Sequence, residues 1–172
     1  MSGPEKIITI VQGDYAVSGD PQVVMSTVLG SCVAVCMYDP DAGVGGMNHF
    51  LLAGTSGPRS GDLRYGVNAM ELLINNLLRA GAERHKLQAK LFGGARMTSH
   101  ARDIGQSNAT FAQDFLKQEG IPCISHSLGG EQARRVQFTP STGAARQLQI
   151  AGDAPEVIPE KKAAPAPDIT LF

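Results

Sequence analysis

Two apolar segments joined by a short polar turn constrain the fold of this chain most strongly. Residues 33–38 and 44–50 each have the length of a β-strand, and residues 39–42 between them (Asp-Pro-Asp-Ala) have the composition of a turn. Apolar side chains occupy both faces of the two segments, which is typical of strands that are buried on both sides. The sequence therefore predicts a central β-hairpin in a sheet that is covered on both faces.

A cysteine precedes the first strand of this hairpin, and a histidine lies near the end of the second. Cys32 follows a Gly30-Ser31 turn, and His49 lies 17 residues further along the chain. The thiolate is the reactive form of cysteine, and a nearby imidazole that takes the proton is its usual activator. Cys32 and His49 are therefore a candidate nucleophile and base, although a buried cysteine and a core histidine would fit the same local pattern.

The hairpin register decides whether these two side chains can meet. If the loop is 39–42, Cys32 lies directly opposite His49, and opposed residues have Cβ atoms about 4.5–5.5 Å apart. If the loop is 40–43, the two residues are diagonal neighbours on the same face. A loop of odd length places His49 on the other face unless a bulge corrects the register.

Length and composition exclude several classes of protein. The 172 residues suggest one domain with a substantial core, and 42% of them are hydrophobic. The net charge of −1 argues against a nucleic-acid-binding protein. No apolar run approaches the roughly 20 residues that span a membrane, and residues 1–6 lack a signal-peptide pattern. The three cysteines have no disulfide-framework spacing, so we expect a cytoplasmic protein with reduced thiols.

The order of the remaining patterns predicts an α+β fold. Strands are expected near residues 7–11, 15–17, 87–92, 121–124, 134–138 and 146–150, with helices over 70–78 and 108–119 and a glycine-rich loop over 54–64. The first helix carries its apolar residues on one face and ends before Gly81. We expect a layered sandwich of α/β/β type, in which two helices cover mixed or antiparallel β-sheet.

The composition changes near residue 152. Residues 1–151 are predicted to form the folded domain, whereas residues 152–172 are rich in proline, alanine and lysine and are predicted to be a disordered tail. The last four residues, 169–172, are apolar. They could dock on this protein or on a partner, but a frayed end is the favoured interpretation.

Several motifs at matched spacing identify a family resemblance. They are Leu-Gly-Ser-Cys-Val-Ala-Val at 29–35, Gly-Met-Asn-His-Phe at 46–50, Phe-Gly-Gly-Ala at 92–95, Ile-Gly-x-x-Asn at 104–108, and Leu-Gly-Gly at 128–130 followed by Arg134. In this order they resemble the CheD family of chemoreceptor glutamine deamidases, over roughly residues 7–150. The chain departs from the family pattern at Ser107, where arginine is common, and at Ala133, where glycine is common.

The resemblance implies hydrolysis of glutamine side chains to glutamate on methyl-accepting chemotaxis receptors. Cys32 would be the nucleophile and His49 the general base and acid. The third catalytic residue of the family is a hydroxyl six residues before the cysteine, which is Ser26 here, with Thr27 as the alternative. Backbone N–H groups near residues 30–32 are candidate oxyanion donors.

The resemblance also implies the partners. We expect a monomer that acts on the helical cytoplasmic domain of a chemoreceptor, with no membrane insertion and no nucleic acid. Two other functions stay open: an adaptor that binds receptors and a CheC-type phosphatase, and a receptor glutamyl methylesterase.

We expect neither cofactor nor metal. Cys32 and Cys36 on one strand face would lie about 13 Å apart, too far to share one ion.

Overall fold

The computed structural model describes residues 5–52, 60–97, 104–150 and 169–172. Within these ranges the chain forms ten strands and two α-helices. Their bounds are β1 (Lys6–Thr9), β2 (Tyr15–Ser18), β3 (Val23–Leu29), β4 (Val33–Asp39), β5 (Val44–Phe50), α1 (Ser60–Arg79), β6 (Gln88–Gly93), α2 (Ile104–Glu119), β7 (Cys123–Leu128), β8 (Arg134–Thr139), β9 (Ala144–Gln149) and β10 (Ile169–Leu171).

The strands form two mixed sheets of five strands each. The first sheet has the order β1-β3-β8-β9-β10, and the second has the order β2-β5-β4-β6-β7. The β1–β3 and β6–β7 pairs are parallel, whereas the other pairs are antiparallel. These sheets and helices confirm the predicted α+β class.

The core has two parts because the second sheet is covered on both faces. One face packs on α1 and α2 through Val33, Val35, Met37, Phe50, Met70, Leu73, Leu77, Phe115 and their neighbours. The opposite face packs on the first sheet through Met25, Leu29, Ala34, Cys36, Met47, Phe92, Val136, Phe138 and their neighbours. Burying one such large side chain stabilises the folded state by about 1.5–3 kcal/mol. The layers are therefore helices, second sheet and first sheet, which confirms the predicted α/β/β sandwich.

The central hairpin is formed by β4 and β5, and every residue of both strands is buried. Asp39 pairs with Val44, so the loop is 40–43, the second of the two even-length loops considered. Ala34 is consequently the residue opposite His49. Cys32, two positions before Ala34, is the diagonal neighbour of His49, at a separation typical of about 7–8 Å.

Both helices begin earlier than the sequence pattern predicts. The apolar stripe of α1 is buried at Met70, Leu73, Ile74 and Leu77, but the helix already begins at Ser60, inside the predicted 54–64 loop. Residues 53–59 of that loop lie outside the described residues. The second helix begins at Ile104, four residues before the predicted start at residue 108. Gly120, with a φ of 73°, ends α2 as predicted.

The last residues of the chain differ from the expectation of a frayed end. Ile169–Leu171 form β10, which pairs antiparallel with β9. The ring of Phe172 packs edge-on against Phe92, with 5.1 Å between the ring centroids. Phe172 thereby contacts the hydrophobic core between the two sheets. Residues 151–168, on which the rest of the predicted disordered tail falls, lie outside the described residues.

Among the described residues, no helix has the length and hydropathy that a transmembrane span requires.

Candidate active site

Cys32 lies in the three-residue connection between β3 and β4, and this connection is anchored through its carbonyl groups. The carbonyl oxygens of residues 30, 31 and 32 accept hydrogen bonds, in that order, from Ala95 N at 2.9 Å, Asn108 Nδ2 at 2.8 Å and Gly94 N at 2.8 Å. The connection is therefore fixed to the end of β6 and to α2. We refer to residues 30–32 as the nucleophile loop.

The backbone N–H groups of the nucleophile loop differ from its carbonyl groups in their hydrogen bonding. Within the described part of the chain, the backbone N–H groups of residues 30, 31 and 32 donate no hydrogen bond. A loop with fixed carbonyls and available N–H groups is the arrangement that can stabilise a developing oxyanion.

Gly93 makes the close approach of β6 to the nucleophile loop feasible. It has a φ of 113°, a conformation that side chains other than glycine rarely adopt, and a Cβ at this position would overlap the Cys32 carbonyl oxygen. The glycine pair at 93–94 therefore allows the end of β6 to lie directly against the backbone of Cys32.

His49 is held at its ring and at its backbone. Nδ1 lies 2.8 Å from Thr27 Oγ1 and 3.3 Å from the Ile10 carbonyl oxygen. The His49 carbonyl accepts from Gly13 N at 2.8 Å, and His49 N donates to the Asp14 carbonyl at 3.2 Å. Only 7% of His49 is exposed. The histidine is therefore fixed in place by β3 and by the β1–β2 connection.

The hydrogen bonds around His49 determine its tautomer. Thr27 donates its hydroxyl hydrogen to the Ile10 carbonyl at 2.6 Å, so its oxygen is left to accept from His49 Nδ1–H. The Ile10 carbonyl is also only an acceptor. Both neighbours thus favour a proton on Nδ1, which leaves the Nε2 lone pair as the site that can take a proton.

The structure brings Thr27, and not Ser26, to the histidine. Successive side chains of a strand point to opposite faces of the sheet. Thr27 points into the space between the sheets, where it meets His49. Ser26, paired with Gln137 on β8, points to the other face of the first sheet. The hydroxyl beside His49 is therefore that of Thr27, which the sequence offered as the alternative to Ser26.

Burial shifts both candidate catalytic groups toward their neutral forms. The half-buried position of Cys32 raises the pKa of its thiol above 9.0. Burial lowers the pKa of His49 below 6.5, and the hydrogen bond to the Ile10 carbonyl opposes that shift in part. The resting pair is therefore a thiol and a neutral imidazole at pH 7.

The thiol contacts a residue that the sequence pattern did not single out. Cys32 Sγ donates to the side-chain oxygen of Gln12 at 3.7 Å, and in the described ranges it forms no hydrogen bond with His49. Catalytic hydrogen bonds are often long before substrate binds. Gln12 has no local signal of its own, since it lies in a polar turn far from Cys32 in sequence.

Asn108 is a second residue whose role becomes visible only in three dimensions. It is fully buried, and its amide donates to the Ser31 carbonyl at 2.8 Å and accepts from Leu52 N at 2.9 Å. One side chain thus joins the nucleophile loop to the segment that follows His49. The Ile-Gly-x-x-Asn motif contains this residue, but the sequence could not show its two partners, because they lie 77 and 56 residues away.

Among the described residues, the other cysteines and histidines form no hydrogen bond with Cys32 or His49. Cys36 is fully buried between the sheets, and Cys123 is exposed at the start of β7. His85 lies on a 3₁₀ turn (Arg84–Lys86), and His126 lies on β7. His100 lies outside the described residues.

Comparison with known proteins identifies relatives along the whole chain. A family model described as CheD chemotactic sensory transduction matches residues 52–148. A protein of Ruegeria sp. (strain TM1040), named probable chemoreceptor glutamine deamidase CheD 1, is 51% identical and covers 96% of this chain and 95% of its own length. A relative from Agrobacterium fabrum with the name probable chemoreceptor glutamine deamidase CheD is 52% identical over 100% of this chain and 99% of its own. Its alignment includes the segment that carries Cys32 and His49.

Proposed function

Because this chain belongs to the CheD family, we propose that it hydrolyses glutamine side chains of chemoreceptors to glutamate. Cys32 is the nucleophile and His49 the general base and acid. The observation that carries this proposal is the fixed, neutral His49, whose Nε2 forms no hydrogen bond with the described residues, diagonally across the hairpin from a half-buried thiol on an anchored loop. The names of the relatives supply the substrate class.

The first half of the reaction forms a thioester. Cys32 Sγ attacks the side-chain carbonyl carbon of the glutamine while its proton passes to His49 Nε2. The negative charge that develops on the carbonyl oxygen is stabilised by the N–H groups of the nucleophile loop. His49 then returns the proton to the departing nitrogen, and ammonia leaves.

The second half of the reaction releases glutamate. A water molecule loses its proton to His49 Nε2 and attacks the thioester carbon. The thiolate leaves and is protonated by the imidazolium, so the enzyme returns to its resting state. No redox step occurs, and the nitrogen lost as ammonia is replaced by an oxygen from water.

Thr27 orients His49 in this scheme. Its hydroxyl accepts from Nδ1–H and donates to the Ile10 carbonyl, which holds the imidazole with Nε2 available. We therefore assign the third position to Thr27 in place of Ser26. The proposed reaction uses groups of this chain and water alone and takes place in the cytoplasm, on the helical receptor domain.

The test is ammonia release and mass change of a chemoreceptor cytoplasmic fragment. We expect a gain of about one dalton per modified glutamine, because an NH₂ group becomes OH. The Cys32→Ala and His49→Ala variants should lose this activity, whereas Cys123→Ala, which changes an exposed cysteine, should retain it. Ammonia release that survives Cys32→Ala would refute the proposed nucleophile.

A further inference from the structure

The connection between β1 and β2 encloses the candidate base. Within residues 10–14, the Ile10 carbonyl accepts from Thr27 and lies 3.3 Å from His49 Nδ1. Gly13 N and the Asp14 carbonyl form the two backbone hydrogen bonds with His49. The backbone on both sides of Gln12 is consequently fixed relative to the imidazole.

The side chain of Gln12 extends from this fixed backbone to the nucleophile. Its carboxamide oxygen accepts from Cys32 Sγ at 3.7 Å. Gln12 is exposed, and within the described part of the chain its side chain forms no other hydrogen bond. The contact thus adds little to the stability of the fold, and it covers the reactive sulfur.

We propose that the Gln12 carboxamide occupies the place that the substrate's glutamine carboxamide takes in the reaction. This inference rests on the proposed function, because Gln12 carries the same functional group as the substrate. Its carboxamide lies beside the sulfur, in the space that the carbonyl carbon of the substrate must enter before Sγ can attack it. A receptor glutamine has to displace Gln12 before it reaches Cys32, so the resting enzyme carries its own weak competitor.

The geometry favours this role over that of a catalytic donor. A side chain that stabilises an oxyanion is held in advance by other hydrogen bonds, since the effect depends on preorganisation. Gln12 lacks such support among the described residues, and the atom that meets the sulfur is its acceptor oxygen. An exposed side chain with one long hydrogen bond is easily displaced.

Steady-state kinetics on a receptor cytoplasmic fragment test the proposal with Gln12→Ala. Removing the competitor should lower KM by about two- to five-fold and leave kcat unchanged, because a larger fraction of the enzyme is competent to bind. Val11→Ala is the matched control. It truncates an exposed neighbour on the same connection, and it should leave both constants unchanged.

A second measurement needs no receptor. Iodoacetamide should alkylate Cys32 about two- to five-fold faster in Gln12→Ala than in the natural protein or in Val11→Ala, because the sulfur is uncovered. Peptide mass spectrometry assigns the label to Cys32.

Two results would overturn the proposal. A fall in kcat at unchanged KM in Gln12→Ala would make Gln12 a catalytic donor, and unchanged kinetics with unchanged alkylation would make the contact irrelevant to binding. Failure of the proposed function gives a different result, because the natural protein would then release no ammonia from the receptor fragment. The alkylation rates would still report whether Gln12 covers the thiol.

Discussion

The space between the two sheets holds two cysteines four residues apart, and their surroundings differ in solvent access and in the hydrogen-bonding groups nearby. Cys32 lies at the edge of this space, half-buried, on a loop with available N–H groups. Cys36 lies within it and is fully buried, which raises the pKa of its thiol strongly. Both have a basic residue nearby, His49 for Cys32 and Lys90 for Cys36.

The two basic residues show why proximity alone does not make a site. Lys90 is buried, and its Nζ donates to the Gly143 carbonyl at 2.6 Å and to the Phe172 carbonyl at 2.8 Å. Burial lowers the pKa of Lys90, but its hydrogens are committed to structural bonds. His49 Nε2, in contrast, forms no hydrogen bond within the part of the chain that the structure describes. A reactive pair therefore requires an unused acceptor and an accessible sulfur together.

The largest expected difference is in thiol reactivity. Under native conditions iodoacetamide should alkylate Cys32 at least about 10³-fold faster than Cys36, because Cys36 becomes accessible only when the inter-sheet core opens. Peptide mass spectrometry over a time course gives both rates, and exposed Cys123 provides an internal reference for reagent activity. Comparable rates at Cys32 and Cys36 would contradict the difference in burial.

Substitution of the two neighbouring hydroxyls should give the next largest effect. Thr27→Val keeps the shape of the side chain but removes the bonds to His49 and Ile10, and we expect kcat for deamidation to fall about 10²-fold through misplacement of the imidazole. Ser26→Ala is the matched control and should change kcat less than about two-fold. If Ser26→Ala were the damaging substitution, the third residue would be Ser26 as the family pattern predicts.

Asn108 should have a smaller but specific effect. Asn108→Ala releases the Ser31 carbonyl and Leu52 N, so we expect kcat to fall about ten-fold with KM unchanged, because the nucleophile loop loses one of its three anchors. Asn48→Ala is the control, since Asn48 is equally buried and accepts from Val35 N away from the loop. Both variants should lose about 1–3 kcal/mol of stability.

Equal losses of kcat in these two variants, measured where circular dichroism shows both folded, would reduce Asn108 to a structural residue.

The pH dependence should distinguish a neutral pair from an ion pair. Because the pKa of His49 is lowered, the base stays unprotonated to a lower pH than usual, and the acid limb of kcat/KM should have its midpoint below 6.5. Because burial raises the pKa of Cys32, the 240 nm absorbance of its thiolate should appear at higher pH than for an unperturbed cysteine, measured as the difference from Cys32→Ala. Thiolate absorbance at pH 7 would instead indicate a thiolate–imidazolium pair.

The sequence predicted the hairpin and the layers because their signals are local. Strand length, turn composition and two-sided apolar pattern are all contained within residues 33–50. An even number of loop residues predicted that Cys32 and His49 share a face, but it left two registers open, with loops 39–42 and 40–43. The choice between Ser26 and Thr27 could not be predicted, because it depends on which face of β3 meets the second sheet, and two adjacent hydroxyls carry no information about that face.

Contacts between distant segments account for the other differences. The contact of Gln12 with Cys32 joins two loops that the sequence separates by 20 residues. The first turns of α2 contain glycine and polar residues, whose low helix propensity is outweighed by tertiary packing at Gly105 and Asn108. Residues 169–172 resembled a frayed end because β10 is stabilised by β9, Phe92 and Lys90, none of which lies near it in sequence.

The smallest expected effect on catalysis comes from the end of the chain. Phe172→Ala removes the ring that packs on Phe92, and we expect a loss of about 1–2 kcal/mol of unfolding free energy, since the side chain is only partly buried. Its carbonyl can still accept from Lys90, so the buried ammonium keeps a partner. The kcat for deamidation should stay unchanged, because Cys32 and His49 are anchored by residues 10, 13, 14, 94, 95 and 108. Urea unfolding and steady-state kinetics on the same preparation measure both quantities. A fall in kcat without a fall in stability would show that the packing around Cys36 and Lys90 affects catalysis at Cys32. The surroundings of the two cysteines would then not be independent of each other.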